Sequence, residues 1–331
     1  MPREPRAAPP SPPGRPQTDR ALMDGLIDGR IIKGVGGLYT VSAREGLYMC
    51  RPRGLFRNEG VTPLVGDEVT LRVTGGETPG PRAAGGGSGH IIRIHGRRNE
   101  LLRPRVANVD QAVIVVAAKS PAINYDLLDR LILTFEHIAA KSGNGPEILI
   151  CVNKTDLCAA LEPEGLMEDY ENIGYPVAYI SALPEARDHG AGIEALRRRL
   201  AGKVSVLAGA SGVGKSSAVN SLLLSERMPT GALSRKAGRG RHTTRHSELL
   251  ELQPGGFIID SPGFSSVSLD GIAAESLAGL FIEFRPFIGR CRFADCRHIG
   301  EPGCAVKAAA GGAVPTGRYD RYVSIYRQLK G

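Results

Sequence analysis

One nine-residue run constrains the fold of this chain more than any other. Gly209-Ala210-Ser211-Gly212-Val213-Gly214-Lys215-Ser216-Ser217 fits G-x-x-x-x-G-K-[ST]. The glycines of such a loop let successive backbone N–H groups converge on phosphate oxygens at a helix N-terminus. The loop belongs between a buried strand and a helix. The apolar run Val204–Ala208 before it and Ser217–Leu224 after it predict that pair. Lys215 is placed to reach the β- and γ-phosphates of a nucleotide, and Ser216 to offer its hydroxyl to Mg²⁺. The plain alternative, a glycine-rich loop with no ligand, is disfavoured by the two flanks.

The identity of the base is written elsewhere. Asn153-Lys154-Thr155-Asp156 comes after the apolar run Ile148–Val152 and fits N-K-x-D. A carboxylate at Asp156 can accept bonds from guanine N1–H and its 2-amino group, which adenine does not offer. A polar site left unpaired in this way discriminates by roughly 10⁴-fold or more. Ser181-Ala182-Leu183 comes after the expected strand Val177–Ile180 and fits the short loop whose backbone meets the guanine oxygen. Asp260-Ser261-Pro262-Gly263 comes after Phe257–Ile259, and D-x-x-G there places a carboxylate for Mg²⁺ and a glycine N–H for the γ-phosphate. Between the phosphate loop and Asp260 lies Gly238–Thr244, where Thr243 and Thr244 offer hydroxyls for the same metal. Together these are the five elements of a GTPase.

Their order is a cyclic shift of the usual one. Here N-K-x-D and S-A come first, then the phosphate loop, the threonines and D-x-x-G. A cyclic shift keeps every strand's neighbours if the old ends are joined, and the basic helix expected over Gly192–Leu200 is the join. The chain must then leave the domain just after D-x-x-G, which ties that segment directly to the C-terminal region.

That C-terminal region contains Cys291-x4-Cys296-x-His298-x5-Cys304. Three thiolates and an imidazole within fourteen residues suit a closed tetrahedral zinc site, with scattered buried cysteines as the alternative. Cys50, Cys151 and Cys158 lie apart and read as small core residues. Disulfides are not expected, because nothing points to secretion.

Composition agrees with a multidomain chain. Its 331 residues suffice for two or three domains, and 42% hydrophobic residues is ordinary for a soluble protein. Met1–Arg20 carries seven prolines and no apolar core, so it reads as a disordered tail rather than a signal peptide or anchor. No run reaches the roughly eighteen apolar residues of a membrane span, and a cytoplasmic location is expected. The net charge of +8 is uneven: residues 30–105 carry +7, residues 106–226 carry −5 and residues 285–331 carry +6. Charge runs are often only solvated faces. Two basic flanks around an acidic nucleotide core favour a polyanion such as RNA.

The N-terminal portion reads as all-β. Short segments at 29–33, 37–41, 46–51, 68–73 and 91–95, split by Gly and Pro turns, suit a small OB-type barrel. Gly75–Gly89 reads as a flexible loop tip. Tyr39, Tyr48 and Phe56 are the candidates for base stacking there, with core packing as the alternative reading for each. Recognition by charge and shape is expected over stacking.

These features together resemble the RsgA (YjeQ) family of circularly permuted bacterial GTPases. The resemblance rests on the barrel with Val65-Gly66-Asp67, the segment Arg103–Gln111, the permuted motifs and the C-x4-C-x-H-x5-C site, and runs from about Gly29 to the helix expected over Arg318–Leu329. Behind the tail read at 1–20, which no motif of the resemblance covers, it implies a multidomain α/β protein: an OB-fold RNA-binding domain at 21–105, a permuted P-loop GTPase domain at 106–268 and a helical zinc domain at 269–331. It further implies a monomer that hydrolyses GTP to GDP and binds 16S rRNA on the 30S subunit. Such a protein assists late maturation and leaves on hydrolysis. The water-orienting residue of many GTPases is replaced here by Phe264. The resemblance assigns that role to His242, a surface histidine being the alternative. Arg235, Lys236, Arg239, Arg241 and Arg245 in the same stretch could meet ordering phosphates. Arg245 departs from members with a third threonine, which leaves open whether Thr243 or Thr244 meets Mg²⁺. Two rival classes are a P-loop ATPase or kinase, opposed by Asp156, and an RNA-binding factor using nucleotide only as a structural ligand, opposed by Lys215, Ser216 and Asp260.

Overall fold

The computed structural model describes residues 25–54, 56, 60–75, 87–102, 104–158, 166–183, 186, 189–224, 247–260 and 269–331. The tail, most of the 75–89 insertion, His242, Thr243, Thr244, Gly263, Phe264 and the basic residues at 235–245 lie outside them.

Five strands form the barrel: β1 (Leu26–Val35), β2 (Leu38–Ala43), β3 (Gly46–Pro52), β4 (Glu68–Gly75) and β5 (Gly87–Ile94). Their order is β1-β2-β3-β5-β4, closed by β1 against β4, with β3 and β5 parallel. Closure removes exposed edges. Ile31, Val41, Tyr48, Cys50, Val69, Leu71 and Ile91 are buried inside, with burial alternating most clearly along β3 and the first half of β5. Tyr48 and Phe56 are therefore core residues, and Tyr39 packs against the same core. The expected loop tip is shorter than read from composition. Gly87, Ser88 and Gly89 join β5: all three find ladder partners in β3, and Ser88 and Gly89 also in β4.

A hairpin of β6 (Glu100–Leu102) and β7 (Arg105–Ala107) carries the chain into the second sheet. There β8 (Gln111–Ala117), β9 (Glu147–Asn153), β10 (Val177–Tyr179), β11 (Val204–Ala208), β12 (Glu248–Glu251) and β13 (Phe257–Asp260) stand in the order β10-β9-β8-β11-β13-β12. All neighbours are parallel except β12 with β13. β8 is buried at every residue, as a central parallel strand covered on both faces should be. A single register pair, Lys33 with Glu248, continues this sheet into the barrel.

Helices cover both faces. α1 (Tyr125–Ser142) packs Leu128, Leu131, Ile132 and Phe135 inward; Asn124 caps its first turn and Gly143, in the left-handed region, ends it. α2 (Glu168–Asn172) lies on the same side through Tyr170. α3 (His189–Leu200) and α4 (Lys215–Leu224) cover the other face with Ile193, Leu196, Leu200, Val219 and Leu222. α3 leads from β10 into β11, the place expected for the permuting join. Burial raises the thiols of Cys50 to about 11 and Cys151 to about 12, which leaves both as inert packing groups; Cys158 is half-buried.

The C-terminal region holds α5 (Leu277–Leu280), α6 (Ala305–Ala308) and α7 (Thr316–Lys330). Its core is Leu277, Phe281, Phe284, Val306, Val314, Tyr322 and Ile325, joined by Leu133 of α1.

Candidate nucleotide and metal sites

The phosphate loop leaves β11 in the middle of the sheet. Gly209 sits at φ 141 and Gly214 at φ 93. A Cβ on Gly209 would lie 2.2 Å from Val115 O, and one on Gly214 would lie 2.2 Å from Asn153 Nδ2. The turn therefore needs both glycines, for backbone angle and for space. α4 starts at Lys215, so the loop ends on a helix N-terminus, where backbone N–H groups are free of intrahelical partners. Lys215 Nζ donates to Gly209 O at 2.8 Å and Ala210 O at 2.7 Å, and burial holds its ammonium below the usual lysine value. Ser211, Ser216 and Ser217 lie exposed on the rim, and Val213 is buried beneath it.

Asn153 joins this loop to the others. Its amide Nδ2 donates to Val213 O at 2.9 Å and Gly214 O at 3.4 Å. Its Oδ1 accepts from Lys154 N at 2.8 Å and Ala182 N at 3.0 Å. One buried side chain thus pins three loops that are remote in sequence. Lys154, in the left-handed region at φ 62, donates from Nζ to Gly212 O at 2.7 Å and Ser120 O at 2.6 Å. Asp156 Oδ1 accepts from Ser181 Oγ at 2.5 Å, and Thr155 N donates to Ile180 O at 3.3 Å. Ser221 Oγ on α4 donates to Ala182 O at 2.9 Å. All these loops lie at the carboxyl ends of parallel strands, where open α/β sheets place ligands.

Asn153, Lys154, Thr155, Asp156, Ser181, Ala182 and the run 209–217 are therefore brought together. Asp260 ends β13, two strands from β8 and next to β11. Ser120 was missed by sequence reasoning. Its contribution is a main-chain carbonyl, which every residue carries; the Ser-Pro turn before an Asn cap was the available signal.

The second site is compact. Sγ of Cys291, Cys296 and Cys304 and a ring nitrogen of His298 lie within 4.8 Å of one another. His298 Nδ1 is 3.4 Å from Cys291 Sγ and 3.5 Å from Cys304 Sγ. A tetrahedral Zn²⁺ about 2.3 Å from its sulfurs needs ligand atoms about 3.8 Å apart, so the donors fit a metal in both kind and spacing. Ala305 N donates to Cys291 Sγ and Lys307 N to Cys304 Sγ, each at 3.3 Å, which orients two thiols with the first turn of α6. Burial raises the Cys291 thiol, but N–H groups of Ala305 and Val306 and the neighbouring thiols hold it below the usual cysteine value. Burial lowers His298 and favours the neutral ligand form. Between the ligands, the Glu301 carboxylate accepts from the N–H groups of Arg297, Ile299 and Gly300 and fixes the turn.

A phosphate loop, an N-K-x-D loop and an S-A loop meeting on one rim in shifted order define a circularly permuted GTPase, here between an OB-like barrel and a Cys₃His module. Residues 94–270 match the RsgA GTPase family and residues 28–78 the RsgA N-terminal domain. The small ribosomal subunit biogenesis GTPase RsgA of Clostridium perfringens strain ATCC 13124 is 41% identical over 304 residues, covering 92% of this chain and 98% of that one. The crystal structure of YloQ, a circularly permuted GTPase, superposes with a TM-score of 0.73 at 32% identity over 93% of this chain and 96% of that one. YjeQ from Thermotoga maritima gives 0.72 and 32%, over 92% and 99%. This chain belongs to the RsgA GTPase family: it is a GTP-hydrolysing enzyme of ribosome biogenesis.

Proposed function

We propose that this GTPase binds the 30S subunit through 16S rRNA, assists its late maturation and is released when GTP is hydrolysed. The observation that carries the reading is the charge map: a nucleotide rim in the acidic stretch 106–226, flanked by a barrel region of +7 and a C-terminal region of +6. Phosphate contacts by both flanks would make docking steeply salt-dependent. The division at residues 105 and 268 into RNA-binding, GTPase and zinc domains goes with this reading, as do a monomeric state and a cytoplasmic location.

Within it, Asp156 selects guanine, and Asn153 holds Lys154, Thr155, Ser181 and Ala182 against the phosphate loop. The amides of 209–217 cradle the phosphates, and Lys215 turns from its carbonyl partners to the γ-phosphate. Ser216, at the start of α4, is a ligand for Mg²⁺, with Asp260 and Thr243 or Thr244 completing the set. The bound ion neutralises phosphate charge. Gly263 offers its N–H to the γ-phosphate, and His242 orients the attacking water. Zinc is the metal of Cys291, Cys296, His298 and Cys304.

GTP turnover measured alone, with 30S and with 50S subunits tests the proposal. A strong rise with 30S only is expected; equal response to both subunits overturns it. His242→Ala should remove most of that rise with GTP affinity nearly intact, because water positioning acts in the transition state. Asp156→Asn should weaken GTP binding and gain xanthosine triphosphate, since an amide can donate to the xanthine 2-oxo group. Unchanged affinity for both nucleotides would remove Asp156 from the base site.

A further inference from the structure

Four residues separate Cys291 from Cys296, and two of them face outward as a pair. Phe293 is 44% exposed, although phenylalanine has no polar atom to offer water. The Arg292 guanidinium carbon lies 5.5 Å from the centroid of its ring, within the range of a cation–π contact. The chain beneath the pair is braced. Arg292 N donates to Gly303 O at 3.0 Å, and Cys296 N donates to Phe293 O at 3.3 Å. Gly303, at φ 72, leaves room for the arginine stem, since a Cβ there would lie 2.9 Å from Arg292 Cβ. Both ends of the loop are members of the Cys₃His cluster. The backbone that carries ring and guanidinium is thus braced, which lowers the ordering entropy to be lost on binding.

The surroundings select a partner. Arg290, Arg292 and Arg297 are all exposed on or beside this loop, opposed by the exposed Asp295, while Glu301 is occupied by its turn. A flat apolar ring with a guanidinium at its side and further arginines around it complements an unpaired nucleobase and its flanking phosphates. A purely apolar protein surface would leave the arginines without partners, whereas the phosphates beside a base supply them.

We propose that Phe293, backed by Arg292, is a stacking platform for one unpaired base of the RNA to which this chain docks. The proposal rests on the 30S reading above and adds the contact class, the residue and the element that presents it. It also moves base stacking from the barrel, whose Tyr48 and Phe56 are buried, to the metal-braced loop.

The test uses the full chain, purified 30S subunits and a non-hydrolysable GTP analogue. Affinity is compared for the parent, Phe293→Trp, Phe293→Leu and Phe293→Ala at two salt concentrations, with metal content checked in each. Phe293→Trp should bind at least as well as the parent. Phe293→Leu and Phe293→Ala should each bind about tenfold less tightly with an unchanged salt slope, because no charge is removed. Ultraviolet irradiation of the parent complex should join the peptide containing Phe293 to 16S rRNA, an observation independent of any variant's folding. Parental affinity in Phe293→Leu together with no cross-link at that peptide overturns the platform and favours a protein contact or none. Failure of the parent itself to bind 30S overturns the docking reading and the platform with it, so the two failures are distinguishable.

Discussion

The joint between the barrel and the nucleotide sheet is made mostly with neutral amides bonded to backbone. Asn99 exchanges bonds with Val109 at 2.8 and 2.9 Å and reaches Asn144 O at 2.9 Å, and Asn108 links Arg98 N and Gly66 O. Ion pairs at its edge reinforce it: Arg97 grips the buried Asp67 with Nε at 2.7 Å and Nη2 at 2.9 Å, Arg98 pairs with Asp110, and Lys33 of β1 pairs with Glu248 of β12 at 3.2 Å. The joint between the nucleotide sheet and the C-terminal module is of the opposite kind. Arg318 of α7, with no exposed surface, pairs with Asp129 of α1 at 2.6 Å and with Glu283 at 2.7 Å. Arg321 also pairs with Asp129, Tyr170 OH donates to it at 2.7 Å, and the Arg318 guanidinium lies 4.7 Å from the Phe281 ring centroid. The difference concerns tolerance. Amides bonded to nearby backbone lose one bond at a time, whereas a buried cluster of charges is favourable only when complete. The module beyond the D-x-x-G segment is therefore tied by charges that work only as a set, whereas the barrel shares a continuous apolar core with the nucleotide sheet and its polar joint can lose bonds singly.

The largest test of this contrast removes the metal cluster. Cys296→Ala should lose the bound metal, expected at one equivalent per chain in the parent, and should expose 285–330 to proteolysis while the barrel stays resistant; structural zinc contributes on the order of 10 kcal/mol in small modules. Metal analysis with limited proteolysis reads this, and stoichiometric metal in the variant would show the ligands misassigned. Next, Asp129→Ala leaves Arg318 buried beside Glu283 alone and should cost about 3–5 kcal/mol in denaturant unfolding. A loss below about 1 kcal/mol would erase the distinction between the joints. Arg97→Ala should cost less, about 2–3 kcal/mol, because Asp67 keeps its bond from Leu64 N at 2.7 Å and Arg97 is partly solvated. Smallest is Asp126→Ala, which breaks an exposed pair with Arg130 at 2.7 Å and should change stability by less than about 0.5 kcal/mol.

Much of the nucleotide site was legible because each part is local. A glycine spacing, an N-K-x-D after an apolar run and an alternating barrel strand all express what a few adjacent backbones must do. The bond from Asn153 to the phosphate loop was not legible, since nothing local says which loop its amide will meet. Ser120 was half-hidden for the same reason: its Ser-Pro turn marks a loop but does not say that Lys154 will meet its carbonyl. The cluster of Asp129, Glu283 and Arg318 was hidden more deeply. Each sits in a helix or short turn, and nothing in its neighbours along the chain names a distant partner of opposite charge; a charged side chain is ordinarily solvated.

By itself, then, the sequence of this chain determined its motif order, and with it a permuted GTPase sheet carrying a Cys₃His module behind the D-x-x-G segment. Those features come from short-range backbone geometry and donor chemistry. Tertiary structure alone decided that Asn153 would lock three loops to one rim and that Asp129 and Glu283 would meet Arg318 away from water. Both outcomes depend on which distant elements pack together. A charge or an amide acquires its partner only after the apolar faces of β8, α1 and α7 have chosen theirs.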